Sequence, residues 1–210
     1  MTRAAAIKHG YTTGARGLAS RSVVGLTRTR ITPNALTASG VLLCAAASVL
    51  VLFENRGELL FYWLAAFVFV TGSVLDILDG ALARAGGKTT PFGAFIDSTT
   101  DRVSEGFMLT AIAYVLATHH HPVFVAVAMA AVAGSFLVSY TRARAEALGL
   151  RGDVGIGSRA ERVVVITAGL VLAPWGVLPW ALVLLAVTAW VTVGQRVLHV
   201  RKQLMEGNRQ

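Results

Sequence analysis

Four aspartates fall within one short stretch, DILDGALARAGGKTTPFGAFIDSTTD. Asp76 and Asp79 are three apart, and Asp97 and Asp101 are four apart. On helices those spacings place each pair on one face. Residues 85–92 between them include Gly86, Gly87 and Pro91, a turn that sends the chain back. Two neighbouring helices would therefore aim four carboxylates at one place. In a poorly solvated site such charges repel one another, and each is costly to desolvate. Hard divalent cations relieve both costs, and carboxylate oxygens suit Mg²⁺ or Mn²⁺. Four carboxylates are enough for two ions, the arrangement that clamps a phosphate under nucleophilic attack. Gly80 and Ala83 lie on or beside that face and leave room for a bulky ligand. Arg84, always charged, offers a bidentate fork to a phosphate. A proton or ion relay in a transporter is the competing use of the same acids. A purely structural set of ion pairs is a third, for which few cations lie among the four acids.

The elements that must hold these residues are membrane helices. The chain of 210 residues is 55% hydrophobic and 14% charged, against about 25% charged in globular proteins. Uncharged runs cover Leu36 to Phe53, Leu59 to Leu75, Pro122 to Thr141 and Val163 to Gln195. The last is long enough for two crossings, broken at Pro174, Trp175 and Gly176 and again at Pro179, because one crossing needs about 20 apolar residues. Gly106 to Thr118 is too short alone, so its helix must start near Phe92 and carry charges into the membrane. The expectation is an all-α polytopic membrane protein with six transmembrane helices. Residues 31–204 would form the membrane domain, 1–30 a basic arm and 205–210 a polar tail.

Six crossings put both termini on one side. Of 19 Lys and Arg residues, all but Arg56 then share that side, which makes it cytoplasmic. The active site would face the cytoplasm from the cell membrane. The N-terminal arm mixes Arg3, Lys8, Arg16, Arg21, Arg28 and Arg30 with Ile7, Tyr11, Leu18, Val23, Val24 and Leu26. It has no continuous apolar core of a cleaved signal peptide, and reads as an interfacial amphipathic helix on anionic headgroups. The net charge of +8 is confined to membrane-flanking segments, which argues against nucleic acid as a partner. Cys44 is the single cysteine, so neither a disulfide nor a cysteine zinc site is expected. His119, His120 and His121 read as a solvated outer loop without an acidic partner nearby. The four tryptophans read as interfacial anchors or packing.

A second cluster is cationic. Ser139 to Gly149 reads SYTRARAEALG, a Gly-rich turn follows, and Ser158-Arg159-Ala160-Glu161-Arg162 opens the next helix. Arg196 closes the last span. Arginine clusters bind phosphate through paired hydrogen bonds, so an acceptor that itself carries a phosphate is expected. Positive-inside anchoring is the bland alternative, favoured for Arg144 and Arg151.

The pattern Asp76-x2-Asp79-Gly80-x2-Ala83-Arg84-x8-Gly93-x3-Asp97-x3-Asp101 resembles the signature of the CDP-alcohol phosphotransferases at every fixed position, and the six-helix reading resembles that family over nearly the whole chain. The resemblance implies that Asp76, Asp79 and Asp97 ligate a di-metal centre, completed by Asp101, the catalytic general base on the acceptor hydroxyl. It implies CDP contacts from Gly80, Arg84 and Thr90. The segment Thr32-Pro33-Asn34-Ala35-Leu36-Thr37 resembles the family's opening of the first span and adds Asn34 and Thr37. Homodimers are also implied.

The SYxxARAEA stretch and the RxER that follows are similar to the family's phosphatidylinositol-phosphate synthase branch. That similarity implies CDP-diacylglycerol and inositol 1-phosphate as substrates, with the acceptor phosphate on Ser139, Arg159 and Arg196 and further contacts from Arg142 and Arg162. Thr141-Arg142 and Ala160 depart from that branch, which often has lysine and proline there. A phosphatidylglycerophosphate synthase using glycerol 3-phosphate is the alternative within the family, and a metal-ion or proton-coupled transporter the alternative outside it.

Overall fold

The computed structural model describes residues 32–87 and 89–207. Six α-helices appear, with no strand among the described residues: α1 Pro33–Val51, α2 Glu58–Ala85, α3 Pro91–Thr118, α4 Pro122–Ala147, α5 Arg159–Val171 and α6 Leu178–Gly207. Short 3-10 turns, Glu54–Arg56 and Ala173–Trp175, precede α2 and α6. The expected arm, residues 1–30, lies outside the described residues. The expected tail begins inside α6, which runs through Gly207.

Four of the helices, α1, α2, α4 and α6, are long and apolar enough to cross a membrane. The other two differ for separate reasons. α3 has 28 residues, about 42 Å of helix, but it carries Asp97, Asp101, Arg102 and Glu105 between its start and its middle. α5 has only 13 residues, about 20 Å against a hydrocarbon core of about 30 Å. The uncharged run from Val163 is therefore interrupted where expected, at Ala173–Trp175, but its first part is a short helix.

The described chain forms two compact units. The first comprises residues 32–43 and Thr71–Asp101, that is, the start of α1, the end of α2 and the start of α3. Leu36 and Leu82 are buried there, packed on Leu75 and Ala81. At Gly40 the backbones of α1 and α2 nearly touch. A Cβ there would stand 2.9 Å from the Gly72 carbonyl oxygen and 3.5 Å from Asp76 Cβ. Gly87, with φ +61°, turns the chain after α2. Thr90 then caps α3, its Oγ1 accepting from the Gly93 N–H at 3.0 Å, with Pro91 in the first helical position, where no N–H is needed.

The second unit comprises Cys44–Val70 and residues 102–207. Phe69, Met108, Leu109, Ile112, Leu170, Leu182 and Leu185 are its fully buried large side chains. The Trp63 indole N–H donates to the Val171 carbonyl at 3.0 Å, and that of Trp190 to the Ala130 carbonyl at 3.1 Å, so two of the tryptophans tie helices together. Leu60, Phe67, Val123 and Trp180 face outward, a surface suited to hydrocarbon rather than water.

A histidine–carboxylate contact and an ion pair join distant parts of this unit. His119 Nε2 lies 2.9 Å from Oε1 of the buried Glu54, so the histidine loop does have an acidic partner, supplied from 65 positions earlier. Arg162, expected as a contact to the acceptor phosphate, is instead directed inward. Its Nε and Nη2 donate to the two carboxylate oxygens of Glu105 at 2.8 and 2.9 Å, and its Nη1 to the Gly157 carbonyl at 2.8 Å. Both side chains are buried, and a desolvated guanidinium, which stays charged, is tolerated only with such complete partnership. Glu105→Ala should therefore destabilise the protein by about 3–5 kcal/mol, seen as a lower unfolding temperature in detergent. The double variant Glu105→Leu/Arg162→Met should recover most of that loss.

Candidate functional site

The first unit gathers the aspartates as their spacing predicts. Asp76 and Asp79 sit on one face of α2 and are buried at 5% and 3% exposure. Asp97 and Asp101 lie one turn apart on α3 and are half-buried. One carboxylate oxygen from each of Asp76, Asp97 and Asp101 lies within 4.8 Å of the others. Among the described residues this is the one group of three acidic, histidine or cysteine side chains so arranged. Asp79 stands beside it, close enough for the charges of Asp76 and Asp97 to act on it.

The state of Asp79 tests whether a cation fits. Its Oδ2 accepts a hydrogen bond from the Thr37 hydroxyl, while its Oδ1 is buried with no hydrogen-bond partner. A buried carboxylate oxygen left this way is strongly disfavoured unless something positive meets it. Oxygen-only donors from four acids, with few cations between them, match a hard divalent ion. Thr37 then belongs to the layer that orients a ligand. Its signal in the sequence was a threonine near a helix start; its partner lies 42 positions away, beyond any local pattern.

The residues expected at the nucleotide are placed as follows. Asn34 is exposed in the first turn of α1. The guanidinium of Arg84 lies over Gly80: a Cβ at Gly80 would stand 3.3 Å from Arg84 Nη1. The absent side chain at position 80 thus makes space for the arginine of the next turn as well as for any ligand. The Thr90 hydroxyl oxygen is engaged as the cap of α3, with its own proton still to donate.

The cationic residues belong to the second unit. Ser139, half-buried on α4, donates to the Ser135 carbonyl at 3.4 Å. Arg142 makes an exposed pair with Glu146 at 2.8 Å. Arg159 is the first residue of α5, a helix opened by a capping box in which Ser158 and Glu161 exchange side-chain and backbone hydrogen bonds. Arg196 is buried at 7% exposure; its Nε donates to the Val154 carbonyl at 2.9 Å and its Nη1 to the Val138 carbonyl. Sequence reasoning missed Glu105 and the backbone acceptors of Arg196, because nothing local marks them.

Residues 30–194 match the CDP-alcohol phosphatidyltransferase family. An archaetidylinositol phosphate synthase of Pyrococcus horikoshii is 36% identical over 178 residues, 84% of this chain and 87% of the relative. A crystal structure of Mycobacterium tuberculosis phosphatidylinositol phosphate synthase with CDP-DAG bound aligns with a TM-score of 0.75 at 32% identity, covering 87% of this chain and 92% of that one. A second crystal structure of that enzyme, in complex with manganese and citrate, gives a TM-score of 0.76 at 33% identity, covering 87% and 88%.

The hydrogen bond from Thr37 generates a test of the centre. Thr37→Val should lower the affinity for Mn²⁺ about tenfold, and Asp97→Asn should lower it further. Titration of Mn²⁺ by electron paramagnetic resonance reads both, with circular dichroism showing unchanged helix content.

Proposed function

Because the chain belongs to the CDP-alcohol phosphatidyltransferase family and is an enzyme of that class, we propose that it transfers the phosphatidyl group of CDP-diacylglycerol to inositol 1-phosphate, giving phosphatidylinositol phosphate and CMP. The observation that carries this reading is the carboxylate group of Asp76, Asp97 and Asp101, in a chain whose relatives include synthases of inositol-phosphate lipids.

Asp76, Asp79, Asp97 and Asp101 would hold two ions, Mg²⁺ or Mn²⁺. Bound there, the metal supplies positive charge against the diphosphate and the departing CMP. The protein's own groups do the rest. Arg84, with Gly80 leaving the space, grips a diphosphate oxygen, and Asn34, Thr37 and Thr90 line the nucleotide. Ser139, Arg159 and Arg196 take the acceptor phosphate, with Arg142 beside them; Arg162, engaged by Glu105, is left out of the set. Asp101 accepts the proton of the acceptor hydroxyl. The new bond joins that oxygen to the lipid-side phosphorus, and the bond from that phosphorus to the bridging oxygen breaks to release CMP. No protein nucleophile is needed, since positioning and preorganised charge supply the acceleration.

The rest of the proposal follows from the charge distribution and the family: six crossings of the cell membrane, both termini and the active site at the cytoplasm, and a working homodimer. Ion or proton transport is set aside, because the chain is an enzyme of a transferase family.

Purified protein with CDP-diacylglycerol and Mg²⁺ or Mn²⁺ should release CMP faster with inositol 1-phosphate than with glycerol 3-phosphate. The reverse preference would make it a phosphatidylglycerophosphate synthase, and no release with either would sink the reading. Asp101→Asn should lower kcat by a factor on the order of 10²–10⁴, the range for loss of a general base, with little change in KM for the lipid.

A further inference from the structure

The segment that joins α4 to α5 has no regular secondary structure, yet it is bound to α6 at three evenly spaced points. Gln203 grips the backbone of Arg151 at both ends, its Nε2 donating to the carbonyl at 2.8 Å and its Oε1 accepting from the N–H at 3.0 Å. Arg196 Nε donates to the Val154 carbonyl at 2.9 Å. Thr192 Oγ1 accepts from the buried Gly157 N–H at 2.9 Å. The helix positions 192, 196 and 203 lie four and seven residues apart and share one face, and their partners, 151, 154 and 157, fall at every third residue. From Gln203 back to Thr192 is roughly 16 Å along α6. Six residues reach at most roughly 20 Å, enough to cover that distance, and the segment runs antiparallel to the helix with a bend at Gly155 and Ile156.

Glycines allow the approach. A Cβ at Gly157 would stand 2.9 Å from Thr192 Oγ1, and one at Gly152 would stand 2.9 Å from Ala145 Cβ. Gly155, with φ +118°, is in a conformation that side chains rarely adopt, and a Cβ there would run into the Thr192 side chain. The strap ends firmly. Gly157 gives its N–H to Thr192 and its carbonyl to Arg162, and the next residue, Ser158, caps α5. Arg159 follows at once. Where the strap lies therefore determines where Arg159 stands.

We propose that Thr192 and Gln203 are positioning residues for the acceptor: by holding the 151–157 strap against α6 they set the place of Arg159, and through it the affinity for a phosphorylated alcohol. This rests on the assignment of Arg159 to the acceptor phosphate made above. Neither residue touches substrate, so loss of either acts on acceptor binding and spares the CDP-lipid.

Steady-state kinetics of the full chain with CDP-diacylglycerol and inositol 1-phosphate, paired with hydrogen exchange of the strap, test this. Thr192→Val keeps the shape and removes the hydroxyl, leaving the Gly157 N–H buried without its acceptor. It should raise the acceptor KM about tenfold, leave the CDP-lipid KM within about twofold, and speed exchange over residues 152–158. Thr192→Ser should restore all three values. Gln203→Ala, at a more accessible position, should show the same split more weakly and keeps the test intact should Thr192→Val not fold. Equal rises in both KM values, or faster exchange with an unchanged acceptor KM, would overturn the proposal. Arg159→Ala separates the two inferences. An unchanged acceptor KM in that variant, beside a raised one in Thr192→Val, puts the fault in the Arg159 assignment. A raised one there with none in Thr192→Val puts it in the strap.

Discussion

Acids crowded into a poorly solvated place must be neutralised, and most of what surrounds Asp76, Asp79, Asp97 and Asp101 can be understood from that demand. Two buried aspartates on one helix and two half-buried ones on the next repel one another and lack water to screen them. Helix packing alone would not assemble them, since an apolar residue at any of the four positions would be favoured by the core. The cost is accepted where a bound cation repays it, and Thr37 fixes the least solvated of the carboxylates in advance. The turn between the helices serves the same end. Its hydroxyl cap and its proline set where α3 begins, and so which faces Asp97 and Asp101 occupy.

The second unit meets the opposite problem, that of cations away from water, by a different means. Arg162 and Arg196 are both buried, and each is surrounded by oxygen: a carboxylate and a carbonyl for the first, two backbone carbonyls for the second. Such groups bring specificity of geometry more than net stability. Here the geometry concerns the segment before α5, whose backbone supplies two of the acceptors, the Gly157 and Val154 carbonyls. A stretch without helix or strand is thereby held by side chains at known points, as a strand would be by a neighbouring strand.

Much of the carboxylate centre was legible because its information is local. The three- and four-residue spacings, the glycines and the proline lie within 26 consecutive residues, and helical geometry alone converts them into one cluster. The all-helical architecture was legible for a similar reason, since apolar run length is a direct measure of a span. Where both ends of an interaction are far apart, legibility ends. Glu54 with His119, Glu105 with Arg162, and Thr37 with Asp79 are separated by 65, 57 and 42 positions, and each overturned or refined a local reading. Arg162 looked like a ligand because it is an arginine near a helix start; its burial depends on a glutamate that no nearby pattern announces. α5 ends where Pro174 and Gly176 mark a turn, but the uncharged run, which continues to Gln195, hides how short the helix before that turn is, at 13 residues.

The meeting of α1 and α2 at Gly40 has a mechanical side. Only a hydrogen atom separates the two main chains there, with the Gly72 oxygen on the far side. Sliding α1 by one residue would bring Ser39 or Val41 to the crossing, where neither fits. The contact therefore works as a detent, admitting one register and rejecting its neighbours. Thr37, one turn before Gly40, and Asp79, two turns beyond Gly72, are delivered to each other by that notch, so the alignment of a polar pair is guaranteed by a steric contact that carries no charge of its own.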